Sequence, residues 1–217
     1  MTENKENVDE KRRTLIKGII GASIITTILG VGSVANYLNP SATQVVQKYP
    51  RVKIANIKEL KNGSFIRFCY PLTSEVNLLI KVGEKVENGV GPDQDIVAFS
   101  AICQHLGCII DQYYPNTEPF YNKYQKVMVC LCHLSVFDVT RNARVLAGPA
   151  PRRVPRIILE YDEATGDIYA VGMEGPVILG KGPSGLEGTN LPNNLRPGFL
   201  GGEVVNDTTA RTCGEQS

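Results

Sequence analysis

The sequence predicts an all-β protein: an antiparallel sandwich or barrel carried behind one N-terminal membrane helix. Three observations support this. Beyond residue 38 no amphipathic helix of normal length can be traced, whereas short β-type runs recur between turn residues. Apolar residues make up 42% of the 217, enough to build a core. The apolar stretch at 18–38, by contrast, carries no charge on any face.

Residues 1–17 are polar and end in Lys11-Arg12-Arg13-Thr14-Leu15-Ile16-Lys17; the next charged residue is Lys48. About 20 residues at a 1.5 Å rise cross a bilayer core, so 18–38 is expected to be a transmembrane anchor. Its basic flank places 1–17 in the cytoplasm and the remainder on the extracytoplasmic side of the cell membrane. Arg12-Arg13 resembles a twin-arginine export signal. Ser33-Val34-Ala35 offers a cleavage site, but the run exceeds a usual signal core, so a retained anchor is expected. Residues 39–50, opened by Asn-Pro, read as a flexible linker.

The head then unfolds as a series of strands. The first spans 52–57. After the turn dipeptide Asn62-Gly63 comes 64–70, and 75–82 follows, rich in Val, Leu and Ile. The run 95–102 enters a first cysteine cluster and 126–131 enters a second. Strands at 135–139, 144–146, 157–161 and 167–171 complete the head, the last two joined by Glu-Ala-Thr-Gly. From Gly172 the chain turns Gly/Pro-rich, and 174–217 is set apart as an extension with little apolar surface to bury. The net charge of +1 gives no basic excess for a nucleic-acid partner.

The chemistry is concentrated in the two clusters. Four of the six cysteines and both histidines lie in CQHLGC (103–108) and CLCH (130–133). Thiolate and imidazole suit iron–sulfur clusters, zinc and copper. Zinc is the first rival, but structural zinc sites favour Cys pairs spaced by two to four residues, and a zinc site of two cysteines and two histidines leaves Cys108 and Cys132 unexplained.

The two runs resemble, in order, the cluster-binding loops of the respiratory Rieske iron–sulfur proteins, whose loops read Cys-Thr-His-Leu-Gly-Cys and Cys-Pro-Cys-His-Gly-Ser. The resemblance extends over a head at about 51–173 with an inserted cluster-binding subdomain. It implies one [2Fe–2S] cluster per chain, with Cys103 and Cys130 on the inner iron and His105 and His133 on the outer. Imidazole in place of thiolate raises the potential, and an exposed imidazole can couple electron to proton transfer. Cys108 and Cys132 then match the family's inter-loop disulfide, which an oxidising compartment permits.

Other positions carry over in the same way. Leu106 matches a leucine over the cluster, the plain alternative being a core leucine. Ser135 matches a serine whose hydroxyl bonds a cluster sulfur. Gly148-Pro149-Ala150-Pro151 matches a covering third loop. The departures are Gln104 for Thr, Leu131 for Pro, Leu134 for Gly and Phe137 for Tyr. Leu134 is the most serious, because a glycine beside a ligand often marks a special backbone angle; the loop either rearranges or presents a more apolar tip. Phe137 lacks a donor, so a potential below that of Tyr-bearing relatives is expected. The aromatic segment 109–129 reads either as an ordered insertion facing a partner or as a decorated surface loop. Cys69 reads as a core residue, with a Cys69–Cys213 disulfide as the alternative.

The resemblance implies a membrane-anchored electron carrier of a quinol-oxidising cytochrome bc-type complex, active only within that complex. Quinol in a cytochrome b subunit would donate to the cluster with His133 as its contact, and a cytochrome c or other high-potential acceptor would take the electron. The alternative is the small Rieske subunit of an arsenite-oxidase-like molybdoenzyme. A structural zinc protein is the third class.

Overall fold

The computed structural model describes residues 45–116, 123–175, 178–182, 185–189 and 202–212. The expected anchor at 18–38 and the export motif lie outside these. Among the described residues no helix is long and apolar enough to cross a membrane.

The strands are β1 (Val45–Asn56), β2 (Ser64–Cys69), β3 (Val76–Lys81), β4 (Ile96–Ser100), β5 (Tyr113–Tyr114), β6 (Val127–Cys130), β7 (Ser135–Asp138), β8 (Arg144–Ala147), β9 (Arg156–Tyr161), β10 (Asp167–Gly175), β11 (Ile178–Gly182) and β12 (Gly185–Thr189). Two short 3-10 turns, Ile57–Glu59 and Val139–Arg141, are the helical elements among the described residues. A six-stranded sheet has the order β1-β10-β9-β4-β3-β2, a four-stranded sheet runs β5-β6-β7-β8, and β11 and β12 form a hairpin. Every pairing is antiparallel. The all-β expectation is met.

Both faces of the larger sheet are buried, which explains why VNLLIK and IVAFS read as continuous apolar runs rather than alternating ones. The two-residue period sorts them into two cores. Leu79, Ile96 and Ala98 join Val52, Ile54, Phe68, Tyr70 and Leu72 on one face. Leu78, Ile80, Val97 and Phe99 meet Tyr113, Met128 and Phe137 of the smaller sheet on the other. Full burial of such side chains contributes about 1.5–3 kcal/mol each, so this second core seats the four-stranded sheet on the base. Val127, Val129 and Val136 form a third, smaller core on the far side of that sheet.

The predicted turns form for the reasons their residues suggest. Gly63 has φ 76° and donates its N–H to Lys81 O. Between β9 and β10, Asp162 Oδ1 accepts from the N–H groups of Ala164 and Thr165, and Gly166 takes φ 76°.

Two expectations about segment ends need correction. Strand β1 begins at Val45, inside the stretch read as a linker, and pairs with β10 from Val45↔Gly175 onward. The Gly/Pro-rich extension contains the end of β10, the β11–β12 hairpin and a docked segment at 202–212. That segment lies along the turn after β2: Thr73 N–H donates to Glu203 O, Val205 N–H to Pro71 O and Cys69 N–H to Ala210 O. Backbone bonds hold it, together with Val205 and Ala210, which are buried in the first core. Glu75, at the end of the same turn, is fully buried, and neither carboxylate oxygen has a hydrogen-bond partner. Cys69 is buried and disulfide-bonded; Cys213 lies outside the described residues.

Candidate metal centre

Three loops converge at one end of the four-stranded sheet. The first follows β4 and holds residues 103–108. It is closed by Cys103 N–H donating to Cys108 O at 2.9 Å and Gly107 N–H to Cys103 O at 2.9 Å. A bridge between Ile102 and Ile109 fixes its neck. Gly107 sits at φ 76°, a region few side chains tolerate.

The second loop is the β6–β7 connection, closing on the pair Cys130↔Ser135, with Leu134 N–H donating to Cys130 O at 2.8 Å. Leu134 has φ 60°. The special backbone angle expected of a glycine is therefore kept by a leucine, at a cost of about 1–2 kcal/mol. The same residue also supplies the apolar tip, because Leu106, Leu131 and Leu134 are exposed by 63%, 58% and 53%. Leu106 is accordingly a surface leucine, not a core one.

The third loop holds Gly148, Pro149, Ala150 and Pro151. Gly148 takes φ 87°, and a Cβ there would stand 2.4 Å from Ser135 Cα and 2.5 Å from Leu134 O. Only glycine lets this loop lie against the second one. Ala150 N–H donates to Ser135 Oγ at 3.1 Å, which leaves the hydroxyl proton free for a sulfur.

The donors are sorted by depth. Cys103 and Cys130 are free thiols, each 1% exposed. His105 is half-buried and His133 exposed, with ring centroids 4.7 Å apart and planes at 89°. Cys108 and Cys132 are joined by a disulfide across 24 residues. The sulfurs of Cys108, Cys130 and Cys132 also lie within 4.8 Å of one another, but two of them are bonded together, so this trio offers one thiolate. Burial pushes the Cys103 thiol up to about 11, its neighbour Cys130 adds to the rise, and the His105 N–H and Ser135 hydroxyl act against it. A metal must therefore displace a proton to bind there.

The residues fit a Rieske-type cluster. Two buried thiols are spared from the disulfide. Nδ1 of His105 is buried with no hydrogen-bond partner, an orphaned donor atom of the kind that coordination satisfies. Two sulfurs deep and two imidazoles towards the surface match a [2Fe–2S] centre in which a pair of histidines replaces a pair of cysteines on one iron. Phe137 is fully buried in the core that contains Cys103 and Cys130. Sequence reasoning missed Arg152, which no motif flags; its Nε donates to Gln104 Oε1 at 3.3 Å.

Comparison with known proteins agrees with the site. The family model "Rieske [2Fe-2S] domain" matches residues 51–158. The chain is 35% identical over 171 residues to iodate reductase subunit IdrB of Pseudomonas sp. (strain SCT), covering 77% of this chain and 80% of that one. It is 39% identical over 127 residues to IdrB of Denitromonas iodatirespirans, covering 58% and 64%. The cytochrome bc1 complex Rieske iron-sulfur subunit of Streptomyces lividans matches over 79 residues at 38%, covering 34% and 42%. Among solved structures, the soluble domain of Rieske protein II (soxF) from Sulfolobus acidocaldarius superposes with TM-score 0.55 at 28% identity, covering 75% of this chain and 95% of that one.

These findings correct the expected localisation. A single-pass position in the cell membrane has no spanning helix among the described residues to support it, and the longer matches are to iodate reductase subunits rather than to cytochrome bc1 subunits. The expected pairing with quinol and cytochrome b has the shorter bc1-type match on its side, against the longer matches to iodate reductase subunits. The loops, the donor set and these matches lead to one conclusion: the chain belongs to the Rieske [2Fe–2S] family, and its head is an electron-transfer domain with that cluster as cofactor.

Proposed function

We propose that this chain is the small Rieske subunit of an oxyanion-converting molybdoenzyme, of the arsenite-oxidase or iodate-reductase kind, relaying single electrons between the large subunit and an external redox partner. The observation that carries this reading is the 171-residue match that spans 80% of an iodate reductase subunit. The cluster, when bound, supplies a one-electron couple. Cys103 and Cys130 would hold its inner iron, and His105 and His133 its outer one. The remaining residues shape access. His133 is the exposed imidazole and so the nearest ligand to a partner, and the exposed Leu106, Leu131 and Leu134 give the tip an apolar rim that excludes water on docking. The Cys108–Cys132 disulfide holds the two loops together, and Ser135 bonds a sulfur.

The shorter bc1-type match keeps a cytochrome bc-type complex as the second reading. Affinity purification of the tagged chain from native cells separates the two. A molybdenum-containing large subunit co-purifying in equal amount is the expected result; a cytochrome b in its place overturns it.

A further inference from the structure

Gln104 stands between two donors, Cys103 and His105, and is 2% exposed. A buried amide needs partners, and it has two. Nε2 donates to Ile102 O at 3.2 Å, and Oε1 accepts from Arg152 Nε at 3.3 Å. Arg152 follows directly on the third loop, which is fixed against the second by the Ala150–Ser135 bond and the close approach of Gly148. The guanidinium is thus held by the first loop through Gln104, on a stretch of chain that the second loop anchors through Ser135.

Its charge is uncompensated. Arg153 and Arg156, its neighbours in sequence, both pair with the buried Glu174. Among the described residues no carboxylate lies within ion-pair distance of Arg152, although the residue is half-buried. Guanidinium stays protonated at all working pH values, so a fixed positive charge one side chain away from the donor loop goes unscreened by any partner.

We propose that Arg152, held by Gln104, is a positioning cation that raises the reduction potential of the centre. The inference rests on the Rieske reading. Reduction adds one negative charge to the site, and a nearby cation in a medium of low effective dielectric stabilises that state. Net charge around the cluster and the residues behind its ligands are established levers on potential.

Redox titration of the full chain, followed by the reduced-state electron paramagnetic resonance signal, tests this in wild type, Arg152→Gln, Arg152→Lys and Gln104→Leu. At fixed ambient potential Arg152→Gln is expected to shift the reduced-to-oxidised ratio about tenfold towards oxidised, equal to about 59 mV for a one-electron couple. Arg152→Lys should stay within about twofold of wild type, and Gln104→Leu, which frees the guanidinium, should shift in the same direction as Arg152→Gln by less. Signal amplitude reports cluster loading separately, so absence of any Rieske signal in wild type refutes the family reading rather than this one. Unchanged potentials in Arg152→Gln and Gln104→Leu overturn the proposal. So does an Arg152→Lys shift as large as that of Arg152→Gln, which would assign the effect to packing rather than charge.

Discussion

Replacing Gly148 by alanine should push the third loop of the centre away from the second. The added Cβ would lie 2.4 Å from Ser135 Cα and 2.7 Å from Ser135 N, where ordinary contact begins at 3.4 Å. Both obstacles are backbone, so the third loop must retreat by about 1 Å (3.4 − 2.4). That retreat stretches the 3.1 Å bond from Ala150 N–H to Ser135 Oγ beyond useful length, a loss of about 1 kcal/mol. Holding an alanine at φ 87° adds about 1–2 kcal/mol. The sum, about 2–3 kcal/mol, corresponds to a fall of roughly 5–10 °C in Tm for a chain of this size. Calorimetry of the cluster-loaded protein measures it. A redox titration alongside should show a lower potential, because Ser135 loses the partner that orients its hydroxyl. A Tm within about 2 °C of wild type together with an unchanged potential would refute the reasoning.

Three further outcomes are expected. Phe137→Tyr should raise the midpoint potential by adding a donor beside the buried thiols, and a redox titration without any rise counts against the idea. Replacing both Cys108 and Cys132 by serine removes a cross-link over 24 residues; the chain-entropy estimate is about 3–4 kcal/mol, visible as a lower Tm and faster loss of the cluster's visible absorbance. Burial pushes the Glu75 carboxyl up to about 8. The folded state therefore keeps a proton that the unfolded chain has already released above its ordinary carboxylate value. Stability should fall as pH rises from about 4.5 to about 8, and denaturant titrations of Glu75→Gln should lose that slope.

The donor set was legible because ligand chemistry is local. A thiolate and an imidazole two or three positions apart on a tight loop announce themselves, and Leu134 stood out as an anomaly once the resemblance to the Rieske loops was in view. Pairings made by backbone over long separations were not legible. The start of β1 at Val45 depends on β10, more than a hundred residues later, while its own sequence, with prolines on either side, looks like a connector. The segment at 202–212 docks through main-chain bonds, which composition does not encode. Gln104 was visible as a departure, but the meaning of that departure depends on Arg152, 48 residues away. Glu75 gave no signal, because a polar residue before a strand ordinarily faces water.

Strands β4 and β9 are neighbours in the large sheet, paired through Ala98↔Ile157 and Phe99↔Arg156. Everything between them, including all three loops, leaves and re-enters the base at one place. The redox apparatus is thus an excursion whose two ends are paired side by side, and its length is nearly free of thermodynamic consequence: doubling such a loop costs only about 0.6 kcal/mol in closure entropy. Growth within it would leave the register of the six-stranded base untouched. A lineage can thus refashion the surface offered to a new redox partner while inheriting the scaffold unchanged.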